Sequence, residues 1–202
     1  MKFKYGMIAS TLLIVALVAM ATASSLSYFN DTETSTDNTI TAGTLDLQID
    51  GVNTNVVKID IANWKPSSGP YCYTYALTNV GSLNGFLDIS NVAVTDLENV
   101  LTEPEAEAGD VTPDTGELST LLKMHMFVDA APSNGYFGFE DTTIYNGYMN
   151  AVGTSYNQNL PIAAGQTVYI TVQIGWWLGG NDNLAQSDSI DFDLAFQLNQ
   201  IV

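Results

Sequence analysis

The sequence predicts an all-β domain, a sandwich or jelly roll, on three observations. Six segments alternate apolar and polar residues with a period of two, clusters of Gly, Asn, Pro and Ser separate them, and no internal repeat or second domain interrupts them. The first segment, "TLDLQID" (44–50), sets Leu45, Leu47 and Ile49 against Asp46, Gln48 and Asp50, the pattern of a strand with one buried face. "VVKIDIANW" (56–64) repeats it with Val57, Ile59 and Ile61. "YCYTYALTNVG" (71–81) and "GFLDISNVAV" (85–94) follow around the turn "SLN", and "TVYITVQIGWW" (167–177) and "SIDFDLAFQLNQIV" (189–202) close the chain.

The middle reads differently. Residues 95–117 carry Asp96, Glu98, Glu103, Glu105, Glu107, Asp110, Asp114 and Glu117, with two prolines and almost no large apolar residue after Leu101. This is expected as a surface excursion. "LSTLLKM" (118–124) then predicts one or two helical turns with Leu118, Leu121 and Leu122 on one side, before "KMHMFV" (123–128) resumes as a strand. "TTIYNGYMNAV" (142–152) reads as a second short helix weakened by Gly147.

The N-terminus reads as a leader. Lys2 and Lys4 precede an uncharged run of Met, Ile, Leu, Val and Ala, and Ala21-Thr22-Ala23 supplies the small-residue exit of a secretory signal. Cleavage after Ala23 makes Ser24 the mature N-terminus. The run from Tyr5 to Ala23 is also long enough to span a bilayer as an anchor, but the small-residue exit favours cleavage. The chain thus divides into a signal peptide (1–23), a polar segment with one apolar patch (24–38) and the β domain (39–202).

Charge excludes one class of function. Five lysines and no arginine face 22 Asp and Glu, a formal charge of −17, and two of those lysines leave with the signal. So acidic a surface repels nucleic acid and anionic headgroups, and contact with membrane is expected only through the signal before its cleavage. A single cysteine, Cys72, permits no intrachain disulfide, and its alternation with Tyr71 and Tyr73 marks an ordinary strand residue.

Catalytic patterns are missing from the sequence. His125 is the only histidine, so neither a His pair nor an H-E-x-x-H zinc motif can be formed. There is no G-x-S-x-G elbow and no phosphate-binding Gly-rich loop. Hard cations are the more serious prospect, because calcium takes carboxylate and amide oxygens. Two stretches are rich in them: the acidic excursion, and "GGNDNLAQSDSIDFD" (179–193), where Asp182, Asp188 and Asp191 are the calcium candidates beside Asn181 and Asn183. Neither has EF-hand spacing. Asn30-Asp31-Thr32 is the only glycosylation sequon. Of the adjacent Trp176 and Trp177, one must point away from the core of a regular strand, making the pair candidates for a partner surface.

A signal peptide, then Tyr28-Phe29-Asn30-Asp31, then Ala42-Gly43-Thr44-Leu45-Asp46-Leu47, resembles the TasA and camelysin family of secreted fibre proteins and their archaeal relatives, the bundling pilins. "NWKPSSG" (63–69), "LTNVGSLNGFLDI" (77–89) and "NLAQSDSIDFDLAFQLNQ" (183–200) add to the resemblance, which is vague between Leu97 and Asn159. It implies an extracellular jelly-roll subunit that polymerises by donor-strand complementation. Residues 24–38 would complete the sheet of the next copy, with Leu26 and Tyr28 on one face, Phe29 on the other, and Asn30 and Asp31 continuing the strand. The expected partner is then a further copy of the chain, with lateral bundling of fibres once their like charge is screened. Two alternatives remain: a camelysin-like secreted metalloprotease, which the lone histidine disfavours, and a monomeric surface or carbohydrate-binding module using Trp176 and Trp177.

Overall fold

The computed structural model describes residues 41–54, 56–59, 61, 64–176 and 182–200. Leu26, Tyr28, Phe29, Asn30 and Asp31 lie outside them, as does Trp177. The described residues from Ala42 onward form an all-β sandwich of two antiparallel sheets. The larger sheet places β1 (Leu47–Ile49), β2 (Tyr71–Asn79), β7 (Thr167–Trp176), β4 (Leu122–Asp129) and β5 (Thr142–Tyr148) side by side in that order. The smaller sheet has β3 (Gly85–Leu97) at its centre, flanked by β6 (Tyr156–Ile162) and β8 (Ser189–Gln200).

The alternation read from the sequence selects the core. Tyr75 and Leu77 of β2, Met124 and Met126 of β4, and Ile170, Val172 and Ile174 of β7 are buried against Leu87, Ile89 and Val92 of β3. These are every second residue of their strands except across β3, where the register with β8 shifts between Ile89 and Asn91. A bulge there restores the inward phase after one extra residue. Trp176 ends the β7 row at 4% exposure. Buried in this way, Trp176 offers no partner surface.

Three expectations fail for local reasons. Strand β1 holds only three residues of "TLDLQID". Asp50 and Gly51, both at positive φ, close a tight turn in which Ile49 and Val52 exchange backbone hydrogen bonds of 3.0 and 3.1 Å, and the chain reverses. No described residue of 56–64 is in a strand. Ile59 packs on the core, but Val57 is 88% exposed, and Lys58 leaves the ladder to meet Asp50 at 2.8 Å and the Tyr75 ring. The expected helix at 142–152 is strand β5 followed by a 3-10 turn, Met149–Ala151. Thr142, Thr143 and Ile144 are β-branched, and Thr142 and Thr143 pair with Val128 and Phe127 of β4, which outweighs the helical reading. Strand β6 is a further element that the alternation did not reveal.

One corner joins two of the stretches that carried the resemblance, Ala42–Leu47 and 77–89. The amides of Ser82 and Leu83 both donate to the Thr44 carbonyl, at 2.9 and 3.0 Å, and the Val80 amide donates to that of Asp46 at 2.8 Å. Gly81 is required because a Cβ there would lie 2.4 Å from the Thr44 oxygen. Beneath the turn, fully buried Asn79 donates through Nδ2 to the Leu83 carbonyl at 2.8 Å and accepts the Gly81 amide at 3.1 Å. Asn79→Ala leaves these backbone groups unpaired, and we expect it to lower unfolding free energy by about 1–3 kcal/mol in urea denaturation. A loss below about 0.5 kcal/mol, the range of ordinary surface changes, would show that the corner is not held this way.

Candidate functional site

Two acidic stretches far apart in sequence meet at one end of the sandwich. The first is not a plain surface excursion. Thr102 and Pro104 open a helix, Glu103–Ala108, and the fully buried Glu105 reaches back to take the Thr102 amide at 2.6 Å. Its other oxygen takes the Ser187 amide at 3.1 Å, which pins the approach to β8. The T-x-x-E spacing at 102–105 was the available signal for this helix start. Nearby, Asp96 accepts both the amide and the hydroxyl of Ser119, fixing the Leu118–Leu121 helix that leads into β4.

Around these satisfied carboxylates lie unsatisfied ones. Glu98 follows β3, Glu117 precedes the Leu118–Leu121 helix and Asp188 precedes β8. One oxygen from each falls within 4.8 Å of the others. The Glu117 amide donates to Asp188 Oδ2 at 2.6 Å. Glu98 Oε2, Glu117 Oε2 and Asp188 Oδ1 are buried without a hydrogen-bond partner, as is Oδ2 of the neighbouring Asp110. Burial, then the charge of Asp188, pushes Glu98 up to about 7, and burial also raises Glu117 and Asp188. Asp110 moves down instead, because Thr112 donates to it.

Of the calcium candidates, Asp188 belongs to this cluster, whereas Asp182 and Asp191 are not among its members. Asp182 accepts the indole N–H of Trp176 at 3.1 Å, and Asp191 is an exposed residue of β8 opposite Thr95. Glu98 and Glu117 come from the other oxygen-rich stretch. Composition marked both stretches, but only the pairing of β3 with β8 makes them neighbours.

His125 stands elsewhere. It is half-buried on β4, with Nε2 2.9 Å from the Thr143 hydroxyl and its ring against Phe127 and Phe137. Burial lowers its pKa. Phe137 belongs to a loop whose Tyr136 and Phe139 are exposed, an aromatic surface that the sequence reading did not single out. A hydrolytic zinc centre does not fit the described donors: the carboxylate cluster offers only oxygen, and the imidazole is engaged with a hydroxyl and two phenyl rings.

The sheet edges are the remaining feature. Strand β8 pairs with β3 along its whole length, from Ser189 opposite Leu97 to Gln200 opposite Gly85, and among the described residues nothing pairs with its other side. Its inward row, Ile190, Phe192, Leu194, Phe196 and Leu198, packs on the core yet stays only partly buried throughout.

The like charges around Glu98 give a pH prediction. Its ordinary value of 4.5 applies in the unfolded chain and about 7 in the folded one, so between them the unfolded chain binds fewer protons. Stability then falls as pH rises through that window. With a chelator present, the melting temperature should drop between about pH 4.5 and 7, and Glu98→Gln should flatten the drop. An unchanged slope in Glu98→Gln would contradict this.

No curated protein matches the chain. No helix of the described residues is long and apolar enough to cross a membrane. The sequence profile of one family, described as camelysin metallo-endopeptidase, matches residues 1–201. Its members are secreted or cell-surface proteins. With the match covering all but its last residue, the chain belongs to the camelysin family.

Proposed function

We propose that the chain is a structural subunit of an extracellular filament, in which residues 24–38 of one copy pair with the open edge of β8 in the next. The observation that carries this reading is the β8 edge. Among the described residues, a strand of twelve residues is unpaired along one side, and a three-stranded sheet stands against a five-stranded one. An added strand would bond the backbone and cover the flank of the half-buried row from Ile190 to Leu198. Leu26 and Tyr28, two apart, would enter from one face. Thr44, tied to the turn at Ser82 and Leu83, supplies a fixed anchor where the donor segment joins its own domain. Since the donor and the acceptor are different surfaces of one chain, the contact repeats head to tail and builds a filament.

The family's description names an endopeptidase, and that is the alternative reading. The one histidine and the all-oxygen cluster support the structural role instead. Electron microscopy of the secreted protein, with and without residues 24–38, tests the choice. Filaments are expected from the intact chain and none from the deletion. A synthetic peptide of residues 24–38 should bind the deleted protein and raise its melting temperature. Filaments from the deleted protein would overturn the reading, and chelator-sensitive hydrolysis of a protein substrate by the purified chain would favour the endopeptidase. Fibres this acidic should also associate laterally only as salt is raised, which light scattering against ionic strength follows. Bundling that weakens with salt would contradict repulsion as the barrier.

A further inference from the structure

We propose that Glu98, Glu117 and Asp188, with Asp110 beside them, form a calcium site that staples the two sheets together where β3 ends and β8 begins. The fold satisfies some of its carboxylates and leaves others short. Glu105 and Asp96 have partners on both oxygens and hold local structure. Glu98, Glu117, Asp188 and Asp110 each keep one buried oxygen with none. Asp110 is the clearest case. It is only 6% exposed; its Oδ1 accepts the amide and hydroxyl of Thr112 at 2.8 and 2.7 Å, and its Oδ2 accepts nothing.

The Thr112 hydroxyl also lies 2.8 Å from Glu117 Oε1, so Asp110 and Glu117 share this one neighbour. One hydroxyl has one proton, so it can serve only one of the two carboxylates. A proton shared between Glu98 and Asp188 relieves that pair, but burying the remaining anionic acceptors beside them is unfavourable unless a cation meets them. Oxygens that lie within 4.8 Å of one another match the span across a single ion with bonds of about 2.3–2.6 Å. An all-oxygen set from irregular segments suits calcium, which accepts six to eight oxygens in flexible geometry, better than magnesium, which demands a near-ideal octahedron.

The placement gives the ion a mechanical role. Glu98 extends from the centre of the smaller sheet, Glu117 leads through a helical turn into β4 of the larger one, and Asp188 starts β8. An ion bound by all three fixes the first residues of β8 relative to both layers. The site is complete within one copy, so it stands or falls independently of the filament reading.

The test uses the full secreted chain stripped with a chelator, titrated calorimetrically with calcium chloride at constant ionic strength and melted with and without calcium. One saturable site is expected, with a melting temperature that rises with calcium concentration. Glu117→Gln and Glu98→Gln should each weaken calcium binding about tenfold or more. Each should also raise the melting temperature of the calcium-free protein, because one like charge has gone. Circular dichroism checks that both variants remain folded. Glu107→Gln removes the same charge from an exposed position of the nearby helix and should leave affinity unchanged. Absence of saturable binding at millimolar calcium would overturn the proposal. So would an equal loss in Glu107→Gln, which would mean diffuse screening.

Discussion

An antiparallel sheet that stops leaves a row of unpaired N–H and C=O groups on its last strand, and among the described residues the longest such row lies on β8. Three other edges are short. Strand β1 has three residues and turns back at Asp50-Gly51, and β5 and β6 have seven each. Strand β8 has twelve, and its outward residues include Asp191 and Asp193, charges that discourage indiscriminate pairing without blocking the backbone. The core reflects the same asymmetry. Met124, Met126, Ile170 and Val172, in the middle of the larger sheet, are fully buried, whereas every inward residue of β8 remains partly exposed.

The acidic cluster bears on the same strand. Glu105 holds the Ser187 amide and Asp188 holds the Glu117 amide, so the entry to β8 is fixed by carboxylates whose hold on backbone amides is strongest when they are ionised. The remaining charges in that pocket oppose one another, which makes its stability sensitive to protons and to cations. An edge that accepts another chain's strand, as proposed for β8, gains from a rigid entry, since a strand that is already in place loses less freedom when it is paired.

Much of the sandwich was legible because period-two alternation reports burial directly. Leu77, Leu87, Ile89, Met124 and Met126 are where that pattern puts them. It failed where a turn or a cross-strand partner overruled the local pattern. The Asp-Gly turn cut "TLDLQID" short, and pairing with β4 made "TTIYNGY" a strand despite Gly147. The acidic middle misled for a different reason. Charge was read as exposure, but Glu105 is buried with backbone amides on both oxygens, and Asp110 is buried with Thr112 on one oxygen. Residue composition found both halves of the carboxylate site. It could not show that Asp188 joins Glu98 and Glu117 and that Asp182 is taken up by Trp176, since that depends on the register between β3 and β8.

The central claim is that β8 is an acceptor edge for the N-terminal segment of another copy. Cryo-electron microscopy of filaments at a resolution that separates strands tests it most directly. The account predicts a fourth strand in the smaller sheet, hydrogen-bonded to β8, contributed by residues around Leu26, Tyr28 and Phe29 of the adjacent subunit. Filaments in which the β8 edge stays bare, or is covered by its own chain's N-terminal segment, would contradict it.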